Sequence, residues 1–63
     1  MKGKVKWYNA RKGFGFIEGE DDKDVFVHRT SIPHDIELNE GDEVEFNKNE
    51  TDKGFEAIDI VKL

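Results

Sequence analysis

The sequence encodes an all-β domain, a small closed barrel of five strands. Alternation of apolar and polar residues with a period of two dominates the chain, and no window sustains the i, i+3, i+4, i+7 apolar stripe of a helix. Turn chemistry divides the alternating stretches into five segments. Sixty-three residues are too few for two packed sheets, whereas a sheet closed on itself leaves few free edges. No repeat, proline-rich linker or low-complexity tract interrupts the chain, so residues 1–63 read as one domain.

The first strand is expected over Lys2–Asn9 and is ended by the break Ala10–Lys12. The second, Gly13–Glu18, carries Gly15 and Ile17 on one face. The third, Asp24–His28, carries Val25 and Val27 in the same way. The charged run Glu20-Asp21-Asp22-Lys23-Asp24 lies between them as a solvated turn region. In the longer connection from Arg29 to Gly41, Thr30-Ser31-Ile32 suits one short helical turn. Pro33 sits where its missing N–H costs no ladder bond. In the fourth strand, Asp42–Lys48, Val44 and Phe46 alternate with Glu43, Glu45 and Asn47, giving one inner and one wet face. The break Asn49–Gly54 leads to the fifth strand, Phe55–Lys62. The inward set is then Val5, Ile17, Val25, Val27, Val44, Phe46, Ile58 and Ile60, with Leu38 added from the long connection.

Composition narrows the function. Without cysteine there is no disulfide framework, no thiolate metal site and no thiol nucleophile. No apolar run is long enough for a membrane-spanning helix or a signal-peptide core, so a soluble, cytoplasmic protein beginning at Met1 is expected. A chain this short buries only about 60% of the surface its unfolded form exposes, which makes stability marginal. The 10 Lys+Arg and 15 Asp+Glu give a net charge of −5, but they are unevenly placed. Residues 1–17 hold Lys2, Lys4, Lys6, Arg11 and Lys12 and no acid. That pattern predicts a basic edge on an acidic body. Indiscriminate grip on duplex phosphates, which rests on counterion release by many cations, is disfavoured.

Strand parity then singles out a face. Opposite Ile17 on the second strand stand Phe14, Phe16 and Glu18; opposite Val25 and Val27 on the third stand Asp24, Phe26 and His28. With the aliphatic face inside, three phenylalanines look outward beside His28, and a contiguous apolar patch of that kind marks a binding site. The opposite assignment would bury Glu18, Asp24 and His28, which is costly without partners. Lys12 precedes the cluster, and Lys4 and Lys6 lie on the strand expected to pair with it. Aromatic rings edged by a few cations suit single-stranded nucleic acid, whose bases offer π-faces and whose backbone accepts a basic rim. Gly13 and Gly15 fit either a tight turn or close approach of bases to the backbone. Simple alternation places Trp7 with Val5 on the inner face and Lys4, Lys6 and Tyr8 outside; a bulge in the first strand would reverse this.

The run Lys12-Gly13-Phe14-Gly15-Phe16-Ile17, followed by Val25-Phe26-Val27-His28, resembles the paired ribonucleoprotein motifs of the cold-shock domain. The opening Gly3-Lys4-Val5-Lys6-Trp7-Tyr8-Asn9 is similar to that family's first strand. Glu40-Gly41 and Lys53-Gly54, ahead of the fourth and fifth strands, fit as well, so the resemblance covers essentially the whole chain. It implies a five-stranded antiparallel OB-fold barrel that binds single-stranded RNA or DNA on its first three strands. The binding residues it implies are Lys6, Trp7, Lys12, Phe14, Phe16, Asp24, Phe26 and His28, with Lys53 on a neighbouring loop; it therefore puts Trp7 on the outer face. The sequence departs from the family in four places. Arg29 stands where an aromatic usually follows the histidine, and the loop after Ile32 is about two residues shorter and lacks its usual aromatic. Tyr8 replaces a commoner phenylalanine, and Phe55 stands where proline usually follows glycine. A guanidinium can stack on a base and neutralise a phosphate at once, so Arg29 joins the expected site.

The expectation is a monomeric single-strand binder acting as an RNA chaperone, favouring pyrimidine-rich runs, with no cofactor, no metal and no small-molecule substrate. Catalysis is disfavoured, since no Ser–His–acid spacing and no phosphate-binding glycine loop is present. His28 and His34 with Asp35 do not form a recognised ligand spacing. Two other readings use the same surface or fold: a barrel that docks a peptide on its aromatic face, and an OB-fold translation factor working on structured RNA.

Overall fold

A computed structural model describes residues 1–63. The strands are β1 (Lys2–Asn9), β2 (Phe14–Gly19), β3 (Asp24–His28), β4 (Glu43–Thr51) and β5 (Gly54–Lys62), with one 3-10 turn at Arg29–Ser31. They close into a barrel in the order β1-β2-β3-β5-β4. Four of the pairings are antiparallel and the fifth, β3 against β5 at Phe26 and Glu56, is parallel. Strand directions cannot alternate all the way round a ring of five, so one parallel contact is the condition of closure.

Nine side chains form the core: Val5, Ile17, Val25, Val27, Leu38, Val44, Phe46, Ala57 and Ile60, each at most 4% exposed. Leu38 comes from the long connection, which also lays Ile32 and Ile36 against the barrel. The expected inward set differs at one position: Ile58 is only half-buried, and Ala57 takes its place. The cause is a bulge in β5. Asn47 pairs with Ile58 but Glu45 pairs with Val61, so one extra residue is accommodated near Asp59, whose φ of 53° is left-handed. An inserted residue inverts parity on one side of itself.

β4 and β5 run further toward each other than their sequence suggests. The break expected over Asn49–Gly54 contracts to Asp52-Lys53, because Asn49, Glu50 and Thr51 pair with Glu56, Phe55 and Gly54. The Thr51 hydroxyl closes this hairpin, donating to the Gly54 carbonyl at 2.8 Å while accepting from the Lys53 amide at 3.3 Å. Before β4, the Asp42 carboxylate accepts from the Asn39 amide at 2.9 Å and from Lys62 at 3.1 Å. The amide bond, with the Lys62 cation second, holds the Asp42 carboxyl below its usual range. Asp21, in the β2–β3 turn, is lowered chiefly by its hydrogen bond from Lys48.

Candidate nucleic-acid interface

A second bulge, in β1, builds the outer face. Val5 pairs with Ile17 and Trp7 pairs with Phe16, leaving Lys6 as the extra residue. Val5 therefore points into the core while Lys6 and Trp7 both point out, and Tyr8 turns inward to pack against the core. This corrects the plain alternation, which put Trp7 inside and Tyr8 outside. Trp7 is 39% exposed.

Around it the β2 and β3 rings form a continuous sheet of π-surface. Trp7 meets Phe14 and Phe16 at centroid distances of 5.8 and 5.5 Å. Phe14 stacks on Phe26 at 6.0 Å, Phe16 meets Phe26 edge-on at 5.7 Å, and Phe26 lies 6.4 Å from the His28 ring. The register explains the cluster, since Phe14 pairs with His28 and Phe16 with Phe26 across the β2–β3 ladder. Four of these rings, Phe14, Phe16, Phe26 and His28, are half-buried among their neighbours. His28 is fixed further: its Nδ1 accepts from the Thr30 amide at 3.3 Å and meets the Thr30 hydroxyl at 3.0 Å. An accepting Nδ1 leaves the proton of a neutral ring on Nε2.

Polar residues border the rings. Lys6 donates to Asp24 at 3.0 Å across the start of β3, and that hydrogen bond, followed by the Asp24 charge, raises the Lys6 pKa. Lys12 is exposed in the β1–β2 turn, where its amide donates to the Asn9 side chain at 3.0 Å. The turn closes at Gly13, whose φ of 78° suits glycine. A Cβ at Gly13 would lie 2.5 Å from Arg29 Nε, so the Arg29 side chain lies across this residue and covers the backbone there. At Gly15 a Cβ would strike the Trp7 carbonyl of β1, which makes this glycine a requirement of strand packing. Lys53 sits at the far end, on the β4–β5 turn, on the rim of an open groove of about 850 Å³ that Phe16, Asp24 and Phe26 also line. Lys6, Trp7, Phe14, Phe16, Asp24, Phe26, His28 and Lys53 thus share one connected surface, while Lys12 and Arg29 lie by the β1–β2 turn, Arg29 also lining a hollow with Tyr8 and Thr30. Ile36 and His34, in the shortened connection, do not replace the missing aromatic on the ring face. Ile36 packs on the core, and His34 lines a separate hollow with Tyr8 and Pro33.

One aromatic at this surface escaped the sequence reading. Phe55 is 46% exposed and lines the same groove as Phe16 and Phe26, with Lys48 Nζ 4.7 Å from its ring centroid. The available signal was an aromatic directly after a turn glycine, where an apolar ring has no core to enter.

The profile of the 'Cold-shock' DNA-binding domain family matches residues 1–63. The chain belongs to the cold-shock domain family. It is 52% identical over 65 aligned positions to the cold shock-like protein CspC of Bacillus cereus, the match covering all of both chains. It is 53% identical over 64 positions to the cold shock proteins CspA of Staphylococcus haemolyticus and Staphylococcus aureus, covering 98% of this chain and 97% of those. The cold-shock domain family is one of nucleic-acid-binding proteins, not of enzymes, and a nucleic-acid-binding role in the cold-shock response follows for this chain. No helix here is long and apolar enough to cross a membrane.

Proposed function

We propose that this cold-shock domain binds single-stranded RNA and DNA by stacking unpaired bases on Trp7, Phe14, Phe16, Phe26 and His28, and acts as an RNA chaperone. The spacing of the rings carries the reading. Neighbouring centroids stand 5.5 to 6.4 Å apart, against about 3.4 Å per nucleotide in a stacked strand. Bases that each occupy a ring have therefore left their own stack, which a duplex cannot do without melting. Lys6, Lys12 and Lys53 meet phosphates, Arg29 adds a planar cation beside the rings, and Asp24 positions Lys6. Pyrimidine-rich runs are favoured because weaker base–base stacking makes those bases easier to splay.

Each stacked base is worth about 1–3 kcal/mol, so the five platforms reach about 8 kcal/mol, or micromolar affinity, after ordering costs. Duplex melting costs about 1.4 kcal/mol per step, so such sites trap transiently open RNA and do not unwind long helices. The protein works as a monomer in the cytoplasm, with the binding surface on one domain spanning residues 1–63.

The test is a fluorescence titration of Trp7 with oligo-dT, oligo-dA and a duplex of equal length at two salt concentrations. Strong quenching by oligo-dT, weaker quenching by oligo-dA and little by duplex is expected. Equal response to duplex would overturn the single-strand reading. Silence toward every nucleic acid, in this titration and in a labelled-oligonucleotide assay, would give the rings to a peptide partner.

A further inference from the structure

The groove beyond Phe16 and Phe26 enters the surface described so far only through Lys53 on its rim. One side of it comes from β2 and β3 and the other from the β4–β5 hairpin, so it continues the ring face around the barrel. On the hairpin side the groove holds Phe55, nearly half exposed, and the Lys48 ammonium over its ring is anchored in turn by Asp21 at 3.1 Å. This ring is therefore held in place at the surface, and its exposure is not explained by the core, which it does not join. The polar groups that share the groove are mainly carboxylates, including Asp24 and Glu56. A carboxylate only accepts hydrogen bonds. It repels a phosphate and favours the N–H edge of a base, so a base can enter here while the backbone stays outside, near Lys53.

We infer that Phe55 is an additional base-stacking position, and that the single strand runs off the β1–β3 face into this groove toward the hairpin. The inference rests on the single-strand reading above. It also offsets what the other end of the face lacks, where Arg29 and the shortened connection supply no aromatic. The footprint is thereby displaced toward β4 and β5.

The test compares the unmodified protein with Phe55→Ala and Phe55→Leu against oligo-dT of three to eight nucleotides, by anisotropy of a labelled strand, with a melting curve for each variant. Affinity of the unmodified protein should rise with length and then level off. Phe55→Ala should weaken binding to the longer strands about 5- to 10-fold, the lower part of the range for one stacked base, and should level off one nucleotide earlier. The shortest strands, held on the main face, should be unaffected. Phe55→Leu should behave like Phe55→Ala, because it keeps apolar bulk and loses the π-face. Unchanged length dependence in a folded Phe55→Ala protein overturns the inference, as does full rescue by leucine. If the unmodified protein binds no single strand of any length, the single-strand reading itself has failed, an outcome distinct from either of these.

Discussion

Replacing Phe14 and Phe26 by alanine, singly and together, tests whether the rings or the cations hold the ligand. Phe26 is the hub of the face, in contact with Phe14, Phe16 and His28. Loss of one stacked base at about 1–3 kcal/mol weakens binding by about 5- to 150-fold. Two independent losses at the lower limit give about 25-fold. Phe14 and Phe26 stack on each other at 6.0 Å, so each single change also disturbs its neighbour, and the double change should cost less than the product of the singles. Stability falls as well. The double variant removes the pairs of Trp7 with Phe14, Phe14 with Phe26, Phe16 with Phe26 and Phe26 with His28. At about 0.5 kcal/mol per half-exposed pair that is about 2 kcal/mol, against a total of about 3–9 kcal/mol for a domain of this size. The barrel should survive at 15 °C, which far-UV circular dichroism and a melting curve would verify. Affinity is best read by anisotropy of labelled oligo-dT, because Phe14 touches Trp7 and its loss alters the intrinsic fluorescence. A folded double variant that binds within about threefold of its parent would refute the stacking mechanism.

Three other outcomes are expected. If Lys6, Lys12 and Lys53 each meet one phosphate, the logarithm of affinity should fall against that of salt concentration with a slope near −2, and Lys12→Gln should reduce it by about 0.7; isothermal titrations at four salt concentrations measure both. Asp42 and Asp21 have folded pKa values below their ordinary ones, so their contribution to stability is present above the unfolded carboxyl pKa and is lost as pH falls through the depressed folded values. Melting temperature should therefore decline below about pH 4, and less steeply in Asp42→Asn. Phe46→Ala empties the largest fully buried position and should cost about 3–5 kcal/mol. Denaturant titration should find the variant largely unfolded or its midpoint reduced by about a third or more.

The alternation that defines β2, β3 and the first half of β4 was legible because each of these strands keeps strict parity: Ile17, Val25, Val27, Val44 and Phe46 all lie inside. What sequence alone could not resolve was where parity breaks. Nothing in Val5-Lys6-Trp7 marks Lys6 as the extra residue; that is decided by β1 pairing with β2 on one side of it and continuing one residue out of step on the other. The family resemblance, not periodicity, placed Trp7 correctly. In β5 no such resemblance corrected the alternation, and Ile58 was assigned to a core position that Ala57 fills. The polar end of β4, Asn49-Glu50-Thr51, has weak strand propensity by itself and is extended only because β5 pairs with it. That pairing carries Phe55 to the groove, a placement that the local pattern does not reveal.

Charge placement explains why such a face can discriminate against duplex. The sequence puts five cations and no acid in its first 17 residues, yet the fold does not leave them as a basic strip. Lys2 and Lys4 pair in register with Glu45 and Glu43 of β4, Lys4 also with Glu18 of β2, and Lys6 is bonded to Asp24. Lys12 is exposed at the edge of the ring face, and Arg29 lies across Gly13 beside it. Away from these few cations the chain is acidic, with a net charge of −5, and its carboxylates repel any phosphate that comes within a Debye length, about 8 Å at physiological salt. A duplex keeps its bases covered and presents mainly its backbone, so it meets the repulsion with little to gain from the rings. A flexible single strand brings bases to rings spaced too widely for its own stack and needs only a few phosphates neutralised. On the stacking mechanism proposed above, selectivity for open strands follows from placing the binding energy in aromatic surface and keeping the positive charge around it sparse.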